Sequence, residues 1–300
     1  MSRTTRYRIA ELEVEVELPA AVDASLVLPT AEPFRIATTD HEPALRFTTM
    51  GFTEAVASLT EEPRFRSEEQ NDMGRVRLYT WGDKHLIEVS YREAFCHRMV
   101  IDCTLRHATA EMQWEDPTCK ESLCSLLRIA YSMAILPHAG VSIHASAIHY
   151  NGEAILFLGK SGTGKSTHAR LWLQHAAGAT LLNDDNPMLR VQGSKLMAYG
   201  SPWSGKGACY RNEGYPVRGI VRLSQATENR FRELHDEEAF IALLPSCSVV
   251  RHDEGMEDTS LDLLGEILER VVVAHLACRP DKEAYIACHE GLYPTLEDEL

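Results

Sequence analysis

The period of hydrophobic and polar positions changes about a third of the way along the chain. Over residues 11–18 the carboxylates of Glu11, Glu13, Glu15 and Glu17 alternate with Leu12, Val14, Val16 and Leu18. A period of two sends all four apolar side chains to one face of a strand. Similar runs predict strands over 34–38, 75–81, 85–91, 98–105 and 109–114, with turn residues at 40–43 and at Gly82-Asp83. The polar stretch 60–74 reads as a loop or a poorly packed helix.

Beyond Asp116-Pro117-Thr118 the spacing becomes helical, with Leu123, Leu126, Leu127, Ala130, Ala134 and Ile135 on one stripe and Pro137 behind. A strand over 141–150, an Asn151-Gly152 turn and a strand over 153–158 then predict a hairpin. A glycine-rich loop follows, then a helix over 165–176. Strands are predicted at 180–183, 188–191, 195–199, 217–223 and 274–279, and helices at 236–244, 258–272 and 281–290. The fold class is therefore α/β, α+β overall: a β-rich domain over 1–117 and a second domain over 118–300.

Composition narrows the picture. Of 300 residues 44% are hydrophobic and 25% charged, enough apolar side chain to build a core, so disorder and coiled coil are excluded as the main state. Thirty basic against forty-four acidic side chains leave −14, which argues against nucleic-acid binding. The N-terminus is charged where a signal peptide is apolar, and runs such as 154–158 and 271–274 fall far short of the ~18 residues of a membrane span. The eight cysteines form no CxxC pair and read as reduced thiols. A cytoplasmic protein with no membrane partner is expected.

Gly159-Lys160-Ser161-Gly162-Thr163-Gly164-Lys165-Ser166 matches G-x-x-x-x-G-K-[ST]. Phosphate oxygens need several backbone N–H donors converging on one point, and the glycines let the backbone curl and approach. The helix that follows adds the positive end of its dipole. Lys165 can reach the β- and γ-phosphates, and the Ser166 hydroxyl can ligate Mg²⁺. The context is the expected one, since apolar strand 154–158 runs into the loop and a segment with Leu171 and Trp172 runs out.

A short apolar strand ends in Asn183-Asp184-Asp185 about twenty residues later. One carboxylate there could hold Mg²⁺ and its neighbour could take a proton from an attacking hydroxyl. His144 precedes the loop on a strand whose apolar residues crowd both parities; it reads either as a core histidine or as a member of the site. Segment 200–207 nearly repeats the motif, but Gly207 replaces the hydroxyl and Pro202 lacks an N–H, so it is not a second nucleotide loop. Its Trp203, Ser204 and Lys206 are candidate contacts for a substrate's anionic group or ring.

These residues resemble the HPr kinase/phosphorylase and phosphoenolpyruvate-carboxykinase-like P-loop group. The likeness lies in the strand bearing His144, the loop 159–166, the Asp184-Asp185 pair and the Arg-Gly run at 216–221, together under a third of the chain. It implies a nucleotide-binding domain over 118–300 that transfers the γ-phosphoryl group of ATP to a hydroxyl. By that likeness Gly159 through Ser166 and the adjoining Thr167 hold the nucleotide, while Ser166 and Asp184 hold Mg²⁺. Asp185 and His144 form the proton-accepting pair, Lys165 stabilises charge, and Arg218 stabilises charge or contacts the substrate. GTP is an alternative to ATP. The acceptor would be a small molecule, peptide or protein serine, and a homo-oligomer is compatible with the family. Two other classes use the same loop: a regulatory module that binds ATP without turnover, and carboxykinase-type transfer to a carboxylate. A pure binder needs neither Asp185 nor His144 at the γ-phosphate.

Overall fold

The computed structural model describes residues 2–51, 62–205, 207–248 and 253–294. The chain divides into two units, Met1–Ile135 and Leu136–Leu300, each built on a nine-stranded mixed sheet of described residues.

The first unit holds β1 (Ser2–Ile9), β2 (Leu12–Pro19), α1 (Ala24–Val27), β3 (Arg35–Ile36), β4 (Leu45–Gly51), β5 (Arg64–Asn71), β6 (Gly74–Trp81), β7 (Lys84–Ser90), β8 (His97–Ile101), β9 (His107–Met112) and α2 (Cys119–Ala134). Strand order is β3-β1-β2-β4-β9-β8-β7-β6-β5, parallel at β2–β4 and β4–β9 and antiparallel elsewhere. The alternation of β2 works as expected, with Val14, Val16 and Leu18 buried. On its opposite face Glu13 is held by Arg6, Arg8 and the Thr39 hydroxyl.

Two expectations fail here. The stretch read as a loop or a poorly packed helix contains β5, an edge strand with almost no apolar side chain. Pairing with β6, including an ion pair from Arg77 to Glu68, supplies what hydrophobic patterning does not. The boundary falls after Ile135 rather than near 117, because α2 packs on β4, β7, β8 and β9 of the first sheet. The Tyr131 hydroxyl fastens it by donating to the Ile9 carbonyl at 2.6 Å.

The second unit holds β10 (Gly140–Ser142), β11 (Ala145–Tyr150), β12 (Glu153–Leu158), α3 (Lys165–His175), β13 (Thr180–Asp185), β14 (Met188–Gln192), β15 (Lys195–Tyr199), β16 (Gly214–Gln225), β17 (Arg230–Leu234), α4 (Asp236–Leu243), α5 (Glu254–Leu268), β18 (Val272–Cys278) and α6 (Lys282–Leu292). Helix α5 starts four residues before the expected 258, capped by the Asp253 carboxylate, which accepts from Met256 N. The predicted strand 141–150 is two strands. Strand β10 pairs with β14, β11 pairs with β12 and β13, and the chain changes partner at Ile143-His144. There Ile143 N bonds the Pro187 carbonyl and His144 N the Ser246 carbonyl, outside either ladder.

Strands β12, β16 and β18 lie side by side and parallel, and β13 points the same way across β11. Helix α3 covers one face with Ala169 and Trp172, which pack with Ile155, Phe157, Val221 and Leu276 in a core that excludes water. No described helix is long and apolar enough to cross a membrane.

Candidate functional site

Strand register brings the candidate residues to one rim. Ala145 of β11 lies opposite Leu158 on one side and Asp185 on the other, so the glycine-rich loop and the carboxylate pair leave the sheet at the same level. His144 immediately precedes Ala145 and joins them. Because the chain changes ladders there, its side chain is 44% exposed rather than buried in a two-sided strand.

The loop takes its shape from its glycines. Gly159, Gly162 and Gly164 adopt φ of 154°, 80° and 112°, a region that L side chains rarely enter. Thr163 closes the turn by donating from N and Oγ1 to the Lys160 carbonyl, and Gln225 Nε2 at the end of β16 donates to the Gly162 carbonyl. Gly164 then opens α3, whose first N–H groups face the loop.

Side chains converge on this loop from three elements. Lys165 Nζ lies 2.9 Å from both His144 Nε2 and the Gly159 carbonyl. His144 Nδ1 lies 3.2 Å from Asp185 Oδ1. Ser166 Oγ donates to Asp184 Oδ1 at 2.8 Å. Burial lowers the Lys165 pKa, and the carboxylates of Asp185 and Asp184 oppose that shift. The two carboxylates thus have separate partners, Asp184 the serine and Asp185 the histidine. Adjacent residues of a strand point to opposite faces, which accounts for the division.

Asn183 sets the carboxylates in place, a role the sequence reading missed. It is fully buried, and its Oδ1 accepts from the backbone N–H of Asp185 and Asn186. Its Nδ2 donates to the Trp203 carbonyl and Ser201 Oγ. The visible signal was an Asn three residues before the turn-forming Asn186-Pro187, a pattern that favours a side chain bonding its own backbone.

The segment after β15 lies along β13. Ser204 pairs with Asp185, and Gly205 N donates to the Asp184 carbonyl at 3.0 Å. A Cβ on Gly205 would sit 2.7 Å from that carbonyl, so the approach requires glycine. Ser204 is therefore beside the site, though its hydroxyl donates to the Gly207 carbonyl. Trp203 is 5% exposed, which corrects its reading as a platform for a substrate ring. Lys206 lies outside the described residues.

Arg218 is not at the site. In β16 it precedes Gly219, which pairs with Ile155, so it lies near the start of β12 and far from the loop at its end. Its guanidinium donates to the Leu292 carbonyl at the end of α6 and lies 4.9 Å from the Tyr293 ring centroid. The arginine of β16 level with Leu158 is Arg222, which donates to the Ala242 carbonyl. How β16 aligns with β12 cannot be read from a motif, so which arginine lies level with the loop was invisible in the sequence.

No family model and no curated protein matches the chain. Among solved structures, the HPr(Ser) kinase/phosphatase from Coxiella burnetii is similar, with 11% identity and a TM-score of 0.32, covering 50% of this chain and 87% of that one. That likeness is weak.

Proposed function

We propose that the second unit binds a nucleoside triphosphate, ATP or GTP, with Mg²⁺ at the loop 159–166 and transfers its γ-phosphoryl group to a hydroxyl. The observation that supports this most is the convergence of Lys165, Ser166, Asp184, Asp185 and His144 on one loop whose glycines hold positive φ. A glycine-rich turn without a ligand needs no such set.

The donor chemistry suits Mg²⁺. Ser166 Oγ and Asp184 Oδ1 are hard oxygen ligands already adjacent, and among the described residues no group of three or more His, Cys, Asp or Glu could hold a metal ion. A site of one or two protein oxygens, completed by water and phosphate, is how Mg²⁺ is ordinarily held. Bound there, the ion would neutralise charge on the β- and γ-phosphates.

The chain's own residues do the rest. Backbone N–H groups of the loop and the start of α3 orient the phosphates, and Lys165 supplies a charge-assisted contact. Asp185 and His144 receive the acceptor's proton as its oxygen forms a bond to the γ-phosphorus and the bond to the β-phosphate oxygen breaks. The products are a phosphorylated hydroxyl compound and the nucleoside diphosphate. This pairing favours turnover over simple binding, because a module that only reads ATP gains nothing from a His–Asp pair at that position.

The test is incubation of the full chain with radiolabelled ATP and Mg²⁺ against a panel of serine peptides and small hydroxyl compounds. Label should move to an acceptor with the wild type and fall with Asp185→Asn. No transfer to any acceptor, together with unaltered nucleotide binding, would favour the regulatory module.

A further inference from the structure

One straight row crosses the second sheet at the level where the glycine-rich loop begins. Asp185, Ala145, Leu158, Arg222, His275 and Arg232 lie opposite one another in turn across six strands. Their neighbours Phe157, Val221 and Leu276 belong to the core under α3, so the row projects from the other face. One end of the row is Asp185 with His144, and the other is basic. The next row on this face, toward the carboxyl ends of the parallel strands, is Ser224, Ala277 and Arg230.

These two rows make a basic shelf. The row before them, Ile220, Val273 and Leu234, is buried, and α4 packs on β18. Past that apolar row, Arg222 donates to the Ala242 carbonyl at 2.7 Å and Arg232 pairs with Glu238. His275 Nε2 lies 2.8 Å from Ser224 Oγ. Burial and the guanidiniums of Arg232 and Arg222 lower the His275 pKa. Ala277 is short and half-buried, which leaves a depression between Ser224 and Arg230. Charge on an edge strand such as β17 is ordinary. Arg222 and His275 are not on an edge, because β16 and β18 each have strands on both sides. Among the described residues, Glu238 is the only carboxylate paired with the three arginines. Half-buried cations set side by side repel one another, and an anion held between them offsets that cost.

We infer that this shelf holds acidic side chains of the acceptor, an extended peptide whose serine or threonine hydroxyl lies at Asp185 and His144. The inference rests on the reading of 159–166 as the phosphate-binding loop. Asp185 and Arg222 are three strand spacings apart, about 14 Å at about 4.8 Å each. A small hydroxyl compound does not span that gap, whereas about four residues of extended chain do. Residues 242–248 join the two ends, taking Arg222 at the Ala242 carbonyl and the His144 N–H at the Ser246 carbonyl. The acceptor lies along that wall, outside the carboxyl ends of the parallel strands, where open α/β sheets bind their ligands.

The experiment compares two fluorescent peptides of equal length, each with a single serine. One carries glutamates about four residues from it on either side, and the other carries glutamines there. Affinity for the full chain is read by anisotropy without nucleotide, and the rise in melting temperature with MgATP is recorded alongside. The variants are Arg230→Gln combined with Arg232→Gln, and Ala277→Glu, which sets a carboxylate among the arginines. Arg230 and Arg232 are exposed, so their replacement leaves the core alone. Wild type should bind the glutamate peptide at least about tenfold tighter, the value of one hydrogen bond to a charged group. Both variants should erase that preference and leave glutamine-peptide binding and the MgATP shift unchanged. In the transfer assay they should raise KM for the glutamate peptide about tenfold with kcat unchanged. Equal binding of the two peptides by wild type, or a preference that either variant keeps, overturns the inference, while a MgATP shift in the same samples shows the loop reading surviving it. Inorganic phosphate that binds wild type and not Ala277→Glu, with no preference between peptides, marks a free-anion site and also overturns it. A preference that both variants erase, with no MgATP shift in wild type, overturns the loop reading and the acceptor reading together and leaves only an anion-binding surface.

Discussion

Lys165 Nζ and Asp185 Oδ1 sit on opposite sides of one imidazole, the lysine 2.9 Å from His144 Nε2 and the carboxylate 3.2 Å from Nδ1. Lysine only donates, so Nε2 accepts and the ring proton lies on Nδ1, directed at Asp185. The lysine thereby occupies the ring nitrogen that a proton acceptor needs free. A phosphate group that draws Lys165 away would release Nε2 with its tautomer already fixed. Nucleotide binding and preparation of the base would then be one event.

Lys165→Ala is expected to abolish most nucleotide-induced stabilisation. At one hundred times Kd a bound nucleotide stabilises by about 2.7 kcal/mol, a rise in melting temperature of roughly 5–10 °C for a unit of this size. Thermal melts of wild type and variant with and without MgATP check it. An unshifted wild type at saturating MgATP and MgGTP contradicts the loop reading.

Asp184 and Asp185 should separate. Asp184→Ala and Ser166→Ala should weaken Mg²⁺-dependent nucleotide binding, because each removes one of the adjacent oxygens. Asp185→Asn should leave binding intact and slow transfer about 10²–10⁴-fold, the usual effect of losing a general base. Titrations with and without Mg²⁺, paired with turnover assays, distinguish them, and exchanged phenotypes would reverse the assignment.

Arg218→Ala should act on stability alone. It removes a charged donor from the Leu292 carbonyl and a contact with the Tyr293 ring, which together hold the end of α6. A loss of about 1.5–3 kcal/mol is expected, the range for a hydrogen bond to a charged group, measured by chemical denaturation. An unchanged KM for nucleotide accompanies it. A fall in turnover with wild-type stability would return Arg218 to the site.

Acid should weaken the two units over different pH windows. The Thr39 hydroxyl, with Arg8 and Arg6, holds Glu13 at about 2 against the opposing effect of burial. A depressed carboxylate stabilises above its unfolded value near 4.5 and loses that contribution as pH falls toward 2. His168 is depressed by burial from 6.5 to about 4. The unfolded chain therefore binds the extra proton first, and the second unit loses stability as pH falls from about 6.5 to 4. Denaturation of Glu13→Gln and His168→Phe across pH 2–7 should flatten the lower and the upper window respectively.

Local chemistry made much of the second unit legible. The strand 153–158, the Asn151-Gly152 turn, the loop and the start of α3 were all readable because each is specified within a few residues. What failed was specified at a distance. Strands β1, β5 and β17 carry charges on both faces, so only their partners reveal them. The break at Ile143-His144 lies in an unbroken apolar run and exists because two different strands compete for its backbone. Register placed Arg218 beside the start of β12 and Arg222 level with the end of β12, where the loop begins, and packing buried Trp203.

The most direct measurement is a crystal structure of the full chain with Mg²⁺ and a non-hydrolysable ATP analogue. The account predicts the triphosphate on the amides of 159–166, Lys165 Nζ moved from His144 Nε2 to the β- and γ-phosphate oxygens, and the ion held by Ser166 with Asp184 beside it. His144 Nδ1 should remain on Asp185, with Nε2 open toward the γ-phosphate. Lys165 still bonded to His144, with the analogue absent from the loop or bound elsewhere, would contradict it.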